Sequence, residues 1–134
     1  MRLLYADTIR APAKEKLYPR LEKISRRLHE LLDEWKPDEV AVEDVFYALN
    51  ARSAFHLGMA RGVAVAACLG RQMKIFEYAP TQVKSIVTGY GRADKAQVKK
   101  MIQLLLGTRE EFGFDTADAI AVALCHAVTA RFDS

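Results

Sequence analysis

The feature that most constrains this chain is a single apolar stripe. Leu17, Leu21, Ile24, Leu28, Leu31, Leu32 and Trp35 recur at helical spacing, with Arg, Lys and Glu between them. Residues three and four apart share a helix face, so the stretch predicts an amphipathic helix with one face to bury. Its heptads are too few for a coiled coil, so the natural partner is a sheet of the same domain. Lys36-Pro37-Asp38 closes the helix, because proline pushes the residue before it out of helical backbone geometry.

The flanking segments supply that sheet. Val40-Ala41-Val42 is short and apolar, which predicts a strand covered on both faces. Arg2 to Ile9 reads as an earlier strand with Leu3, Leu4, Tyr5 and Ile9 as its apolar members, followed by a turn around Pro12. Asn50 is placed to cap a helix running to about Leu69, and Gly70 to stop it. Its alanines, with Gly58 and Gly62, permit close approach by another element. Lys74 to Tyr78 predicts a further strand, Pro80 or Thr81 a short helix to Thr88, and Gly89 its end. Gly91 to Asp94 reads as a loop before a helix to Leu106, with Val98, Met101, Ile102 and Leu105 inward and Gly107 closing it. A last helix begins near Asp115 and carries Ile120, Val122, Leu124 and Val128. Strands alternating with helices predict one α/β domain with parallel central strands, and 134 residues suffice for a real core.

A formal charge of +3 permits nucleic-acid binding without requiring it. Cys68 and Cys125 lie in apolar helical stretches, which predicts buried free thiols. No paired-cysteine spacing suggests zinc. No stretch approaches the roughly 18 apolar residues of a membrane helix, and the first residues are too short an apolar run for a signal peptide. The expectation is a soluble cytoplasmic protein.

Three acids stand where chemistry is usually placed. Glu43 follows a strand, and ligands of open α/β sheets bind at the carboxyl ends of strands. The same position also suits a solvated loop acid. Asp115 and Asp118 are three apart and share a helical face, where they could ligate one divalent cation, or simply favour a first helical turn. Taken together, Glu43, Asp115 and Asp118 offer the carboxylate oxygens that magnesium takes in phosphodiester hydrolysis. Lys84 and Lys95, with Arg92 in the adjoining loop, could meet a phosphate or remain solvated. Phe46 and Tyr47 could stack on bases or staple their loop to the core. His29, His56 and His126 show no ligand spacing.

At this point the residues resemble a known family. Val42-Glu43-Asp44-Val45-Phe46, Asn50-Ala51-Arg52-Ser53-Ala54 and Gly58-Met59-Ala60-Arg61-Gly62 look like the central signature of RuvC-type Holliday-junction resolvases. The likeness continues through Tyr78-Ala79-Pro80-Thr81-Gln82-Val83-Lys84, then from Gly89 to Val98, and ends with Asp115-Thr116-Ala117-Asp118-Ala119-Ile120-Ala121-Val122-Ala123. It covers nearly the whole chain in the family's order.

The resemblance implies an RNase H-like mixed sheet flanked by helices, and a homodimer that nicks paired strands of four-way DNA junctions. It implies Mg²⁺ or Mn²⁺, with two ions in the complete site, and association with a branch-migration helicase. It places Glu43, Asp115 and Asp118 on catalytic metal-binding acids, Lys84 and Lys95 on functional basic residues, Phe46 on a junction-engaging aromatic, and the helix from Asn50 to Leu69 on the dimer helix. One departure stands out. The family opens with a strand ending in Gly-hydrophobic-Asp-Pro-Gly, then a second strand. Here Arg2 to Ala11 resembles the third strand, so the first two strands and one catalytic aspartate are missing from the sequence as it stands. Asp7 has no Asp-Pro-Gly turn after it and is given no catalytic role. The resemblance therefore leaves room for a non-catalytic junction-binding module, or for another RNase H-like nuclease.

Overall fold

The computed structural model describes residues 1–12, 14–44 and 49–133. Five helices and two strands alternate: α1 (Leu17–Trp35), β1 (Glu39–Glu43), α2 (Ala51–Leu69), β2 (Lys74–Tyr78), α3 (Pro80–Thr88), α4 (Lys95–Leu106) and α5 (Phe114–Asp133). β1 and β2 pair in a small parallel sheet.

Local chemistry sets most of these ends. The Asn50 side chain accepts a hydrogen bond from the Ser53 amide, the cap that the sequence predicts. Pro80 opens α3, where its missing N–H costs no helical bond. α4 starts with a capping box: Asp94 accepts from the Gln97 amide, and the Gln97 side chain accepts from the Asp94 amide, both at 2.8 Å. Gly89 and Gly107 close α3 and α4 at φ 82 and φ 64, in the left-handed region that glycine enters without a Cβ clash. α1 ends differently, with Lys36 itself left-handed at φ 45 and its amide bonded to the Leu32 carbonyl.

The chain divides into two compact units. The first comprises Met1–Thr8, Ala41–Val45 and Phe76–Ser134. In it α3, α4 and α5 pack on one another. Its core holds Tyr78, Val83, Val87, Val98, Ile102, Ile120, Val122, Leu124 and Cys125, with Leu3, Ala6 and Phe76 packed against them. Ile102 and Cys125 are completely buried. Burying one such aliphatic side chain contributes about 1.5–3 kcal/mol, so this cluster fixes how α4 and α5 meet. The second unit comprises Ile9–Val40 and Phe46–Ile75. There the stripe of α1 packs on α2, and Leu32, Ala67, Cys68 and Met73 form the core. Arg71 ties the end of α2 to α1, donating to Asp33 at 2.7 Å and meeting His29 Nδ1 at 2.7 Å. Both cysteines are free and buried, as expected.

Two expectations need correcting. Residues 2–9 form no strand: no described strand pairs with them, and without a ladder an apolar run docks by side chains alone. β1 is longer than Val40–Val42 and is only partly buried along its length, with β2 its one strand neighbour among the described residues. Glu43 is thus the last residue of the strand rather than the first after it. α5 begins at Phe114, as expected for a start near Asp115.

Candidate active site

Four of the sequence-predicted residues lie close enough to influence one another, all in the first unit. β1 carries Glu43 at its carboxyl end, and the Asp44 amide donates to the Tyr78 carbonyl at 2.8 Å, which fastens the ends of β1 and β2 side by side. α3 carries Lys84 in its second turn, α4 opens with Lys95, and α5 carries Asp118. The electrostatics of Glu43 register all three. Its pKa is raised above the ordinary 4.5, first by burial and then by the Asp118 carboxylate, while Lys84 and Lys95 pull it back down. Lys95 Nζ stands 3.9 Å from Asp118 Oδ2, with the two side chains 64% and 42% exposed. The site is therefore two acids and two ammonium groups at the end of the sheet.

The remaining predicted residues are placed less tightly. Asp115 lies in the first turn of α5, exposed, on the same face as Asp118 but one turn nearer the helix start. Arg92 is exposed in the loop before α4. Phe46, with Val45, Tyr47 and Ala48, lies outside the described residues. Among the described residues no group of three His, Cys, Asp or Glu is gathered as a metal cage. Asp7 accepts from Tyr5 Oη at 2.9 Å and from the Thr8 amide at 2.8 Å. Thr8 in turn meets Thr116 through their hydroxyls at 2.6 Å, which pins the first segment to the opening turn of α5.

Sequence reasoning missed two neighbours of this site. Phe114 begins α5 with its ring 54% exposed, and Lys95 and Lys99 lie over that ring at 5.2 and 4.9 Å. The pairing is tertiary, so periodicity along α4 or α5 cannot show it. The i,i+4 spacing of Lys95 and Lys99 was the available signal, since it puts both ammonium groups on one face.

Glu43, Asp118 and Asp115 offer only carboxylate oxygens, the donors that suit a hard divalent cation. The Asp118 carboxylate raises the cost of ionising Glu43, and a cation held beside Glu43 would relieve it. The residues present thus fit such an ion, with one or two carboxylates and water completing a magnesium-like shell.

An α/β unit with acids at the end of a strand and at the start of the last helix fits the RNase H-like class. Solved structures agree. The chain is similar to Thermus thermophilus RuvC, with a TM-score of 0.88 at 33% identity, covering 98% of this chain and 80% of that one. It is likewise similar to T. thermophilus RuvC in complex with Holliday junction substrate, with a TM-score of 0.92 at 33% identity over 98% of this chain and 81% of that one. The family model described as crossover junction endodeoxyribonuclease RuvC matches residues 1–126, and the chain belongs to that family. Relatives carrying that name include one from Oleidesulfovibrio alaskensis, 47% identical over 86% of this chain and 69% of its own length. One from Alkaliphilus oremlandii is 43% identical over 98% of this chain and 80% of its own length.

Proposed function

We infer that this chain is a crossover junction endodeoxyribonuclease, which nicks paired strands of four-way DNA junctions during recombination and repair. The observation that carries the reading is the shared field of Glu43, Asp118, Lys84 and Lys95 in a chain of the RuvC family. Junction DNA is the substrate, as the name of one solved relative says of that protein.

Each residue has a task in phosphodiester hydrolysis. Lys84 and Lys95 draw a DNA phosphate toward the end of β1 and offset the charge that builds on its oxygens. Glu43 and Asp118, with Asp115, would hold Mg²⁺ or Mn²⁺, one ion or two. When bound, the metal supplies Lewis-acid polarisation of the phosphate and a more acidic water. Glu43 is partly buried, which shields the charged groups from bulk water and strengthens their interaction. Arg92 extends the basic surface toward the flanking backbone, and Phe46 would engage bases at the junction centre.

A second copy of the chain completes the assembly in this reading. α2 presents exposed Phe55 on one face with Gly58 and Gly62, and a Cβ built at either glycine meets nothing within 4 Å. That leaves an open, partly apolar helix face of the kind two copies can bury against each other. A branch-migration helicase is the expected further partner, and the cytoplasm the expected compartment. No helix among the described residues is long and apolar enough to cross a membrane.

The test is cleavage of a four-way junction, a linear duplex and an RNA–DNA hybrid in Mg²⁺, by the chain and by Glu43→Gln. Paired nicks in the junction that vanish in the variant support the reading. Junction binding without cutting by the unchanged chain returns it to a non-catalytic module. Preference for the hybrid makes it a different RNase H-like nuclease.

A further inference from the structure

The exposed ring of Phe114 calls for an explanation, because nothing in the core requires it. It stands 54% exposed at the first position of α5, one helical turn before Asp118. Lys95 and Lys99, one turn apart on α4, bring their ammonium groups to within 5.2 and 4.9 Å of its centroid. An aromatic face attracts a cation at this distance, so one ring holds two long side chains that solvent would otherwise leave free. Each lysine also faces an acid at ion-pair distance, beyond hydrogen-bonding range. Lys95 is 3.9 Å from Asp118, and Lys99 is 3.8 Å from Glu111, whose side chain is 81% exposed. Long, exposed pairs of this kind hold weakly and give way to a competing anion. Lys99 itself is only 24% exposed, so its stem is packed while its charged end lies at the ring.

We propose that Phe114 is a positioning residue for DNA: its ring orders Lys95 and Lys99 into a two-ammonium clamp for the phosphates beside the scissile one. The proposal rests on the nuclease reading, and it adds Lys99 to the phosphate-contacting residues. The two lysines sit about 6 Å apart along the helix axis, from a rise of about 1.5 Å per residue, so the pair can meet more than one phosphate of a strand. Phe114 and Asp118 share a face of α5 as Lys95 and Lys99 share a face of α4. The clamp therefore leads directly to the acid pair, and a strand held by it is aimed at the end of β1.

Phe114→Leu and Phe114→Trp separate this role from simple packing. Leucine keeps an apolar side chain but removes the aromatic face; tryptophan keeps a face that binds cations better. The measurement is junction affinity in the absence of divalent metal, across a series of salt concentrations, together with KM and kcat in Mg²⁺. The clamp predicts roughly 3- to 10-fold weaker binding and a matching rise in KM for Phe114→Leu, and wild-type values for Phe114→Trp. Lys99→Ala should lower the slope of log affinity against log salt by about one phosphate contact. Adding Phe114→Leu to Lys95→Ala/Lys99→Ala should then weaken binding no further. Unchanged affinity for Phe114→Leu, or an equal loss with both lysines already absent, overturns the clamp. Failure of the unchanged chain to bind junctions overturns the nuclease reading as well, and so distinguishes the two.

Discussion

Removing the Lys95 ammonium tests whether that group serves stability or substrate. The perturbation is a double-mutant cycle of Lys95→Met and Asp118→Asn. Two unit charges 3.9 Å apart attract by about 1 kcal/mol in water, and by about 4 kcal/mol at the effective dielectric of a protein surface. The two side chains are 64% and 42% exposed, which places them near the water limit. The cost of ordering a lysine further reduces the gain, so a coupling of about 0.2–1 kcal/mol is expected. Urea unfolding of the four proteins measures that coupling, and single-turnover junction cleavage measures the chemistry. The expected outcome is a small stability coupling beside a loss of cleavage of about 100-fold or more in Lys95→Met, the scale of one lost electrostatic stabiliser. A stability coupling above about 2 kcal/mol would show the pair to be structural. Unimpaired cleavage by Lys95→Met would refute the catalytic assignment outright.

Three further outcomes follow from the same structure. Because burial and Asp118 raise the Glu43 pKa, its ionised form opposes folding: the stabilising contribution is complete below the ordinary 4.5 and is lost as pH rises through the raised value. Glu43→Gln should therefore match or exceed the wild-type Tm at pH 7 in thermal unfolding without divalent metal. Ile102→Ala hollows the core of the first unit at a completely buried position and should cost about 2–5 kcal/mol, read as a drop of roughly 7–18 °C in Tm. If α2 is the face shared by two copies, Phe55→Glu should halve the mass seen by light scattering while leaving circular dichroism unchanged, since that side chain is exposed.

Much of this was legible because its signals are local. The α1 stripe, the Asn50 cap and the left-handed glycines at Gly89 and Gly107 each act within one helical turn, so the residues alone disclose them. Gly70 ends α2 as expected, yet at φ −61, using none of the freedom that singles glycine out. What failed was non-local. The apolar run from Arg2 to Ile9 resembles a strand, but a strand exists only through its partners. At the site, position along the chain pointed to Glu43, Asp118, Lys84 and Lys95, and these do share one field. Phe114 was invisible because its importance comes from α4, across a gap of fifteen residues from Lys99 and more from Lys95. Thr8 and Thr116 met for the same tertiary reason.

The capping box before Lys95 has a consequence for how such proteins can diverge. Asp94 and Gln97 lock each other at the opening of α4, so the helix sets its own starting point without help from the loop ahead of it. An exposed residue of the preceding loop such as Tyr90 can then be exchanged, and the ammonium on the residue after Asp94 keeps its address. The turn behaves as a mechanical joint: drift at the loop's exposed tip is absorbed before it reaches the acids, while Arg92 and the buried Ala93 remain held to their own tasks.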